Sequence, residues 1–232
     1  MPSRDVVTWT AMILGHVKCG QGHKALEVFQ QMQQEGVLPN SVTFVGVVNA
    51  CASLVVLEEG RRPHEQIIQS GWDSDVKVGN CLIGMYAKCG SMEDAQRVFN
   101  KMPSHDVVSW NAILGGCAMH GHGNEALKHF EQMCEEGVQP DDITFVCLLS
   151  ACSHAGLVDE GFMVMWRWEN VLLNRLELEP ENASGYVLLS NIYAAAGNKH
   201  LCEKVEQQGK ERGVKRQLGH TCIEVNNQAH TL

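Results

Sequence analysis

The chain has 232 residues, 44% hydrophobic and 19% charged, enough apolar material to bury a core and too much for general disorder. Its 18 Lys and Arg against 27 Asp and Glu give a formal charge of -9, which excludes a protein that holds phosphates by bulk positive charge. Ten cysteines sit singly and never as C-x-x-C, so zinc knuckles and thioredoxin-type motifs are excluded and buried reduced thiols are expected.

At the N-terminus, MPSRDVVTW carries neither the apolar stretch of a secretory signal nor an Arg- and Ser-rich amphipathic presequence. No apolar run approaches the roughly 18 residues that span a bilayer. The opening segment returns 101 residues later as MPSHDVVSW, and 27 of the first 60 residues are identical across that offset. A shorter period runs inside it, marked by HVKCGQGHKALEVFQQM, YAKCGSMEDAQRVFNKM and CAMHGHGNEALKHFEQM, so the repeating unit is about 35 residues.

Each unit reads as two helices. In the copy that starts at Val107, apolar residues fall at Val108, Ile113, Leu114 and Ala118 before a break at Gly121 and Gly123. They resume at Ala126, Leu127, Phe130 and Met133 with helical spacing, and Gly137 and Pro140 end the second helix. Phe29, Met32, Phe99, Met102, Phe130 and Met133 recur between units and are expected to interlock as core. A pair of short helices cannot bury its apolar face alone, so the units are expected to stack into an all-α solenoid with an extended concave face.

These residues resemble the pentatricopeptide repeat proteins of plant organelles, in the subclass that alternates ordinary, long and short repeats. The resemblance implies an all-α, right-handed superhelical solenoid of helix-turn-helix repeats. It places repeats at 6–40, 41–75, 76–106 and 107–141 and a partial one at 142–161, with 1–5 as the end of a preceding repeat. Residues 162–178 break the pattern and read as an irregular junction, where Trp166, Trp168 and Val171 are expected to cover the end of the array. Residues 179–232 are similar to the family's E-type extension with the start of its E+ continuation, and the family's deaminase domain is not seen.

Function in this family means reading single-stranded RNA one base per repeat, through a residue near the start of the first helix and one at the end of the repeat. Carried over, the pairs are Thr10 with Asn40, Asn80 with Asp106, and Asn111 with Asp141. Val7 and Val108 are implied to sandwich bases, whereas Lys77 departs from that pattern. Val45 with Asp75, and Val146, lack the usual hydrogen-bonding groups, so their steps are expected to be degenerate. The implied footprint is A, any base, U or C, U or C, any base. The implied role is site recognition for C-to-U editing in a mitochondrion or chloroplast, with a deaminase-bearing partner recruited through the E-type tail.

Simpler readings stand beside these. Asn40, Asp75, Asp106 and Asp141 each precede a helix, where a short acceptor caps exposed amides with or without RNA. A tetratricopeptide-like scaffold for proteins is the alternative function. His129-Phe130-Glu131 matches H-x-E without a following C-x-x-C. His120, His122 and His129 are read as exposed imidazoles of a Gly-rich turn, and the glycine pairs Gly20/Gly22 and Gly121/Gly123 as helix-to-helix turns with no strand before them. No catalytic residue, metal ligand, cofactor, membrane or small-molecule substrate is expected.

Overall fold

The computed structural model describes residues 4–157, 159–161, 163–164, 190 and 199–211. It divides into two units, Met1–Met163 and Val164–Leu232. In the first unit the helices are α1 (Val6–Lys18), α2 (Gly22–Gln34), α3 (Ser41–Leu54), α4 (Leu57–Gln69), α5 (Val76–Lys88), α6 (Met92–Lys101), α7 (Val107–His120), α8 (Gly123–Glu135) and α9 (Asp142–His154). The second unit contains α10 (Lys199–Glu211). There the Ser190 hydroxyl donates to Glu206 Oε1 at 3.0 Å and Val205 is buried. No strand occurs among the described residues. Trp166, Trp168 and Val171 lie outside them, as does most of the expected E-type segment.

Local chemistry sets where the odd-numbered helices begin. Asp5, Asn40, Asp75, Asp106 and Asp141 stand in extended backbone and accept from amides of the first turn, each such cap contributing about 1 kcal/mol. At Asn40, Asp106 and Asp141 the bond is reciprocated by Thr43, Ser109 and Thr144 as capping boxes. The even-numbered helices have no side-chain cap and follow at once from tight turns.

Those turns need a left-handed residue, supplied by Gly20, Gly90, Gly121 and Gly156. At the equivalent place between α3 and α4 stands Val55, with φ of 55°, a conformation that costs a Cβ-bearing residue about 1–2 kcal/mol. Val55 is 59% exposed, so its side chain repays little by burial. Val55→Gly is therefore expected to stabilise the array by about 0.5–1 kcal/mol, after allowing for glycine's greater freedom when unfolded. A higher urea midpoint at unchanged m-value is the expected result. An unchanged or lower midpoint would refute the assignment of strain.

Packing separates two layers. The odd helices stack in sequence, α1 on α3, α3 on α5, α5 on α7 and α7 on α9. Each of α2, α4, α6 and α8 packs on the odd helices before and after it, but no two of these four pack directly on one another. In a curved stack the crowded layer is the inner one, so the odd helices line the concave side. Long polar side chains span the gaps of the outer layer: Gln33 to Gln66 at 3.1 Å, Arg61 to Asp94 at 3.3 Å, and His129 to Gln96 at 2.8 Å. A cleft of about 750 Å³ separates α6 from α8.

Between the layers lie Trp9, Phe44, Trp110 and Phe145, all fully buried, with Phe29, Met32, Phe99, Met102, Phe130 and Met133 buried beside them. Cys51, Cys117 and Cys152 are buried too. Burial first, and nearby Glu59 and Glu125 second, push the Cys51 and Cys117 thiols up to about 12. The expectation of uniformly buried thiols fails at Cys19, which is exposed at the last turn of α1, where the helix ends and nothing packs over it.

Candidate nucleic-acid interface

The inner layer brings the paired residues together. The fifth residue of an odd helix lies one turn in from its cap, and stacking sets it beside the cap of the next odd helix. Asn80 Nδ2 donates to Asp106 Oδ1 at 3.1 Å, and Asn111 Nδ2 donates to Asp141 Oδ1 at 2.9 Å. Thr10 and Asn40 do not touch directly. The Thr10 hydroxyl lies 2.7 Å from the Thr43 hydroxyl, which donates to Asn40 Oδ1 at 3.0 Å. Thr10 is itself buried, more covered than a residue expected to meet a base edge.

The positions expected to be degenerate are apolar or committed to a cap. Val45 and Val146 are half-buried on α3 and α9 and offer no donor or acceptor. Asp75 uses one oxygen to cap Lys77 and Val78 at 2.9 and 3.1 Å. Asp106 and Asp141 likewise engage Oδ1 alone, which keeps Oδ2 as an acceptor. Asn40 commits its Oδ1 to Thr43 and keeps its amide hydrogens as donors. Burial alone would raise the Asp106 carboxyl, but the bonds from Ser109 and Asn80 outweigh it and hold the group below the usual carboxylate value.

An exposed apolar stripe runs beside these pairs. Val7 (69% exposed), Val42 (51%), Val108 (55%) and Ile143 (59%) are each the second residue of an odd helix, and Lys77 holds that place on α5. Sequence reasoning singled out Val7 and Val108 and missed Val42 and Ile143, although the shared register was available as a signal. It also missed Thr43, Ser109 and Thr144, whose spacing of three residues after a cap marks a capping box.

Charge is divided between the layers. The odd helices carry Lys18, Lys77, Lys88 and Asp142 as their only permanent charges, with the acidic caps at their starts. Helices α2, α4, α6 and α8 carry nine acids and six bases, a net of -3, and the odd helices with Asp5, Asp75, Asp106 and Asp141 a net of -2, so both layers are mildly negative.

Of the three histidines expected as exposed imidazoles at the turn, His120 is exposed and His122 half-buried, with ring centroids 6.0 Å apart, but His129 is not with them. His129 is buried within α8 with Nε2 at 2.8 Å from Gln96 Oε1, because the interlayer face of that helix carries it inward beside Trp110. Burial lowers its pKa below the usual imidazole value. His120 Nε2 lies 2.7 Å from the Ala87 carbonyl. Among the described residues no group of three or more His, Cys, Asp or Glu could hold a metal, and no helix is long and apolar enough to cross a membrane.

A stack of two-helix units with paired polar side chains on its inner layer defines a helical-repeat protein. Comparison with known proteins makes the assignment specific. The model of the PPR repeat family matches residues 4–53 and 105–154, that of the PPR repeat matches 80–107 and 143–170, and that of the E motif matches 168–224. The chain belongs to the pentatricopeptide repeat family and carries an E motif.

Among its relatives in Arabidopsis thaliana, pentatricopeptide repeat-containing protein At2g33680 is 39% identical over 92% of this chain and 29% of its own length. Pentatricopeptide repeat-containing protein CRR2, chloroplastic, is 35% identical over 100% of this chain and 45% of its own length. Pentatricopeptide repeat-containing protein At2g03880, mitochondrial, is 32% identical over 99% of this chain and 46% of its own length. The chain thus spans less than half the length of these relatives. Among solved structures, the pentatricopeptide repeat protein PPR10 in complex with an 18-nt psaJ RNA element superposes with a TM-score of 0.55 at 19% identity, over 92% of this chain and 36% of that one. The pentatricopeptide repeat protein PPR10 from maize gives a TM-score of 0.50 at 18% identity, over 93% of this chain and 35% of that one. These likenesses establish a shared solenoid fold.

Proposed function

We propose that this chain binds single-stranded RNA base by base along the inner layer of its solenoid and serves as a site-recognition factor for C-to-U editing in a mitochondrion or chloroplast. Editing chemistry would come from a deaminase-bearing partner recruited through the E-type tail, the array itself acting without catalysis. The repeats are read as 6–40, 41–75, 76–106 and 107–141 with a partial one from 142.

The observation that carries this reading is the repeated contact of an amide with a capping carboxylate, Asn80 with Asp106 and Asn111 with Asp141, beside an exposed apolar stripe. Capping alone explains one carboxylate oxygen. It does not explain an asparagine from the preceding helix brought to the same atom twice. The free Oδ2 of each aspartate is an acceptor that suits the N3 hydrogen of uracil, while the free amide of Asn40 is a donor that suits an acceptor on adenine. Val45 and Val146 provide neither, so their steps take any base. Side chains such as Val7, Val42 and Val108 would flank the bases with apolar surface. The organelle is supported by relatives named chloroplastic and mitochondrial, and the tail by the E-motif match.

Fluorescence anisotropy with short RNAs tests the proposal. The expected result is tighter binding to A-N-U-U than to G-N-A-A at equal salt. Equal affinity for both would refute base reading, and no binding to any RNA at low salt would favour the protein-scaffold alternative.

A further inference from the structure

Three buried hydroxyls stand behind the reading pairs. Thr43, Ser109 and Thr144 are the third residues of α3, α7 and α9, and all three are fully buried. Each closes a capping box, which accounts for its bond to the cap but not for its other neighbour. The single hydroxyl hydrogen of Thr144 faces two acceptors, Asn111 Oδ1 at 2.6 Å and Asp141 Oδ1 at 2.9 Å. Asn111 also donates from Nδ2 to Asp141, so its amide is gripped at both ends and cannot turn over. The Thr43 hydroxyl meets Thr10 in the same way at 2.7 Å.

The short repeat differs. Ser109 bonds Asp106 at 2.9 Å and makes no bond to Asn80, whose Oδ1 is buried without a hydrogen-bond partner. Asn80 is therefore held at one end only, by Asp106. A serine side chain also has looser χ1 preferences than the β-branched threonine found at the other two places. The bond to the acceptor-only carboxylate of Asp106 settles which end of the amide is the nitrogen, but an amide held at one end still rocks about that contact, and a loosely placed reading group discriminates less sharply.

We propose that Thr43, Ser109 and Thr144 are positioning residues for the repeat that precedes each of them, setting how firmly the reading side chain is held against the RNA. Thr144 adds a second anchor to Asn111, and Ser109 leaves Asn80 held by Asp106 alone. The inference rests on the RNA reading proposed above and adds a third residue to each pair. It makes the fourth base of A-N-U-U, facing Asn111, more sharply selected than the third, facing Asn80.

The test measures anisotropy with RNAs that replace either uracil of A-N-U-U by adenine, one at a time. Thr144→Val is expected to lower the uracil preference at the fourth base by about 3- to 10-fold, the effect of one hydrogen bond, with the third-base preference unchanged. Ser109→Thr is expected to raise the third-base preference by a similar factor. Thr144→Ser retains the hydroxyl and the cap, and is expected to bring fourth-base selectivity down to the level of the third. A ratio of affinities within one protein is insensitive to a general loss of folded material, so selective loss at one base separates positioning from structural damage. The proposal is overturned if the fourth-base ratio does not move in Thr144→Val and Thr144→Ser, or if both ratios fall together. If the native protein selects neither uracil, the RNA reading itself fails and this inference goes with it.

Discussion

Asn80→Thr, Asp106→Asn, Asn111→Thr and Asp141→Asn, combined in one chain, are expected to turn a protein that prefers A-N-U-U into one that prefers A-N-A-A. The template is already present in the molecule, since Thr10, Thr43 and Asn40 form a hydroxyl-linked set at the first repeat. Changing Asp to Asn replaces the free acceptor Oδ2 by a donor, which inverts the polarity offered to the base. Asparagine caps a helix as well as aspartate does, so α7 and α9 retain their starts and the variant folds. One base contact contributes about 1–3 kcal/mol of discrimination, so two together amount to about 2–6 kcal/mol, a reversal of at least about thirtyfold. Anisotropy with the two RNAs reads this directly. Unchanged preference would show that the Asn–Asp contacts are caps and stacking bonds only.

Trp110→Ala is expected to cost about 3–5 kcal/mol, the range for deleting a large buried aromatic, against a typical total stability of about 5–15 kcal/mol. Trp110 is buried on α7 and bridges both layers. Its ring centroid lies 4.8 Å from that of Phe99 on α6 and 5.4 Å from that of His105. Its indole nitrogen has no hydrogen-bond partner, so the loss comes from contact area and the cavity left behind. In a stack whose units are held by neighbours, weakening the central contact uncouples the repeats on either side. Urea unfolding followed by circular dichroism is expected to show a lower midpoint and a transition broadened into two steps. Trp110→Phe, which retains most of the contact, is expected to lose much less. A loss below about 1 kcal/mol in Trp110→Ala would show that the site repacks and that the array is held elsewhere.

Much of the helical pattern was legible because its signals are local. A cap such as Asp106 acts on amides of the turn that follows it, and a left-handed glycine such as Gly121 acts on the turn it occupies, so a single stretch of sequence contains the whole interaction. Where that reading fell short at His129, the side chain's surroundings come from another repeat. His129 looked like part of an exposed turn, yet its helix presents it to Trp110 and to Gln96 of α6. Val42 and Ile143 share with Val7 and Val108 the second place of an odd helix, a local register that the capped helix starts already mark.

The sequence by itself determined the repeating two-helix unit, the caps that start the odd helices and the family to which the chain belongs, because these depend on residue type and on spacing within one unit. Only the tertiary structure decided that Asn80 reaches Asp106, that Thr144 grips Asn111, that Thr10 is covered, and that the odd helices form the crowded layer while the acids of the even helices lie outside. Each of those facts joins residues about 26 to 33 positions apart, and the direction in which one helix presents its side chains to the next is set by interhelical packing, which residue spacing does not encode.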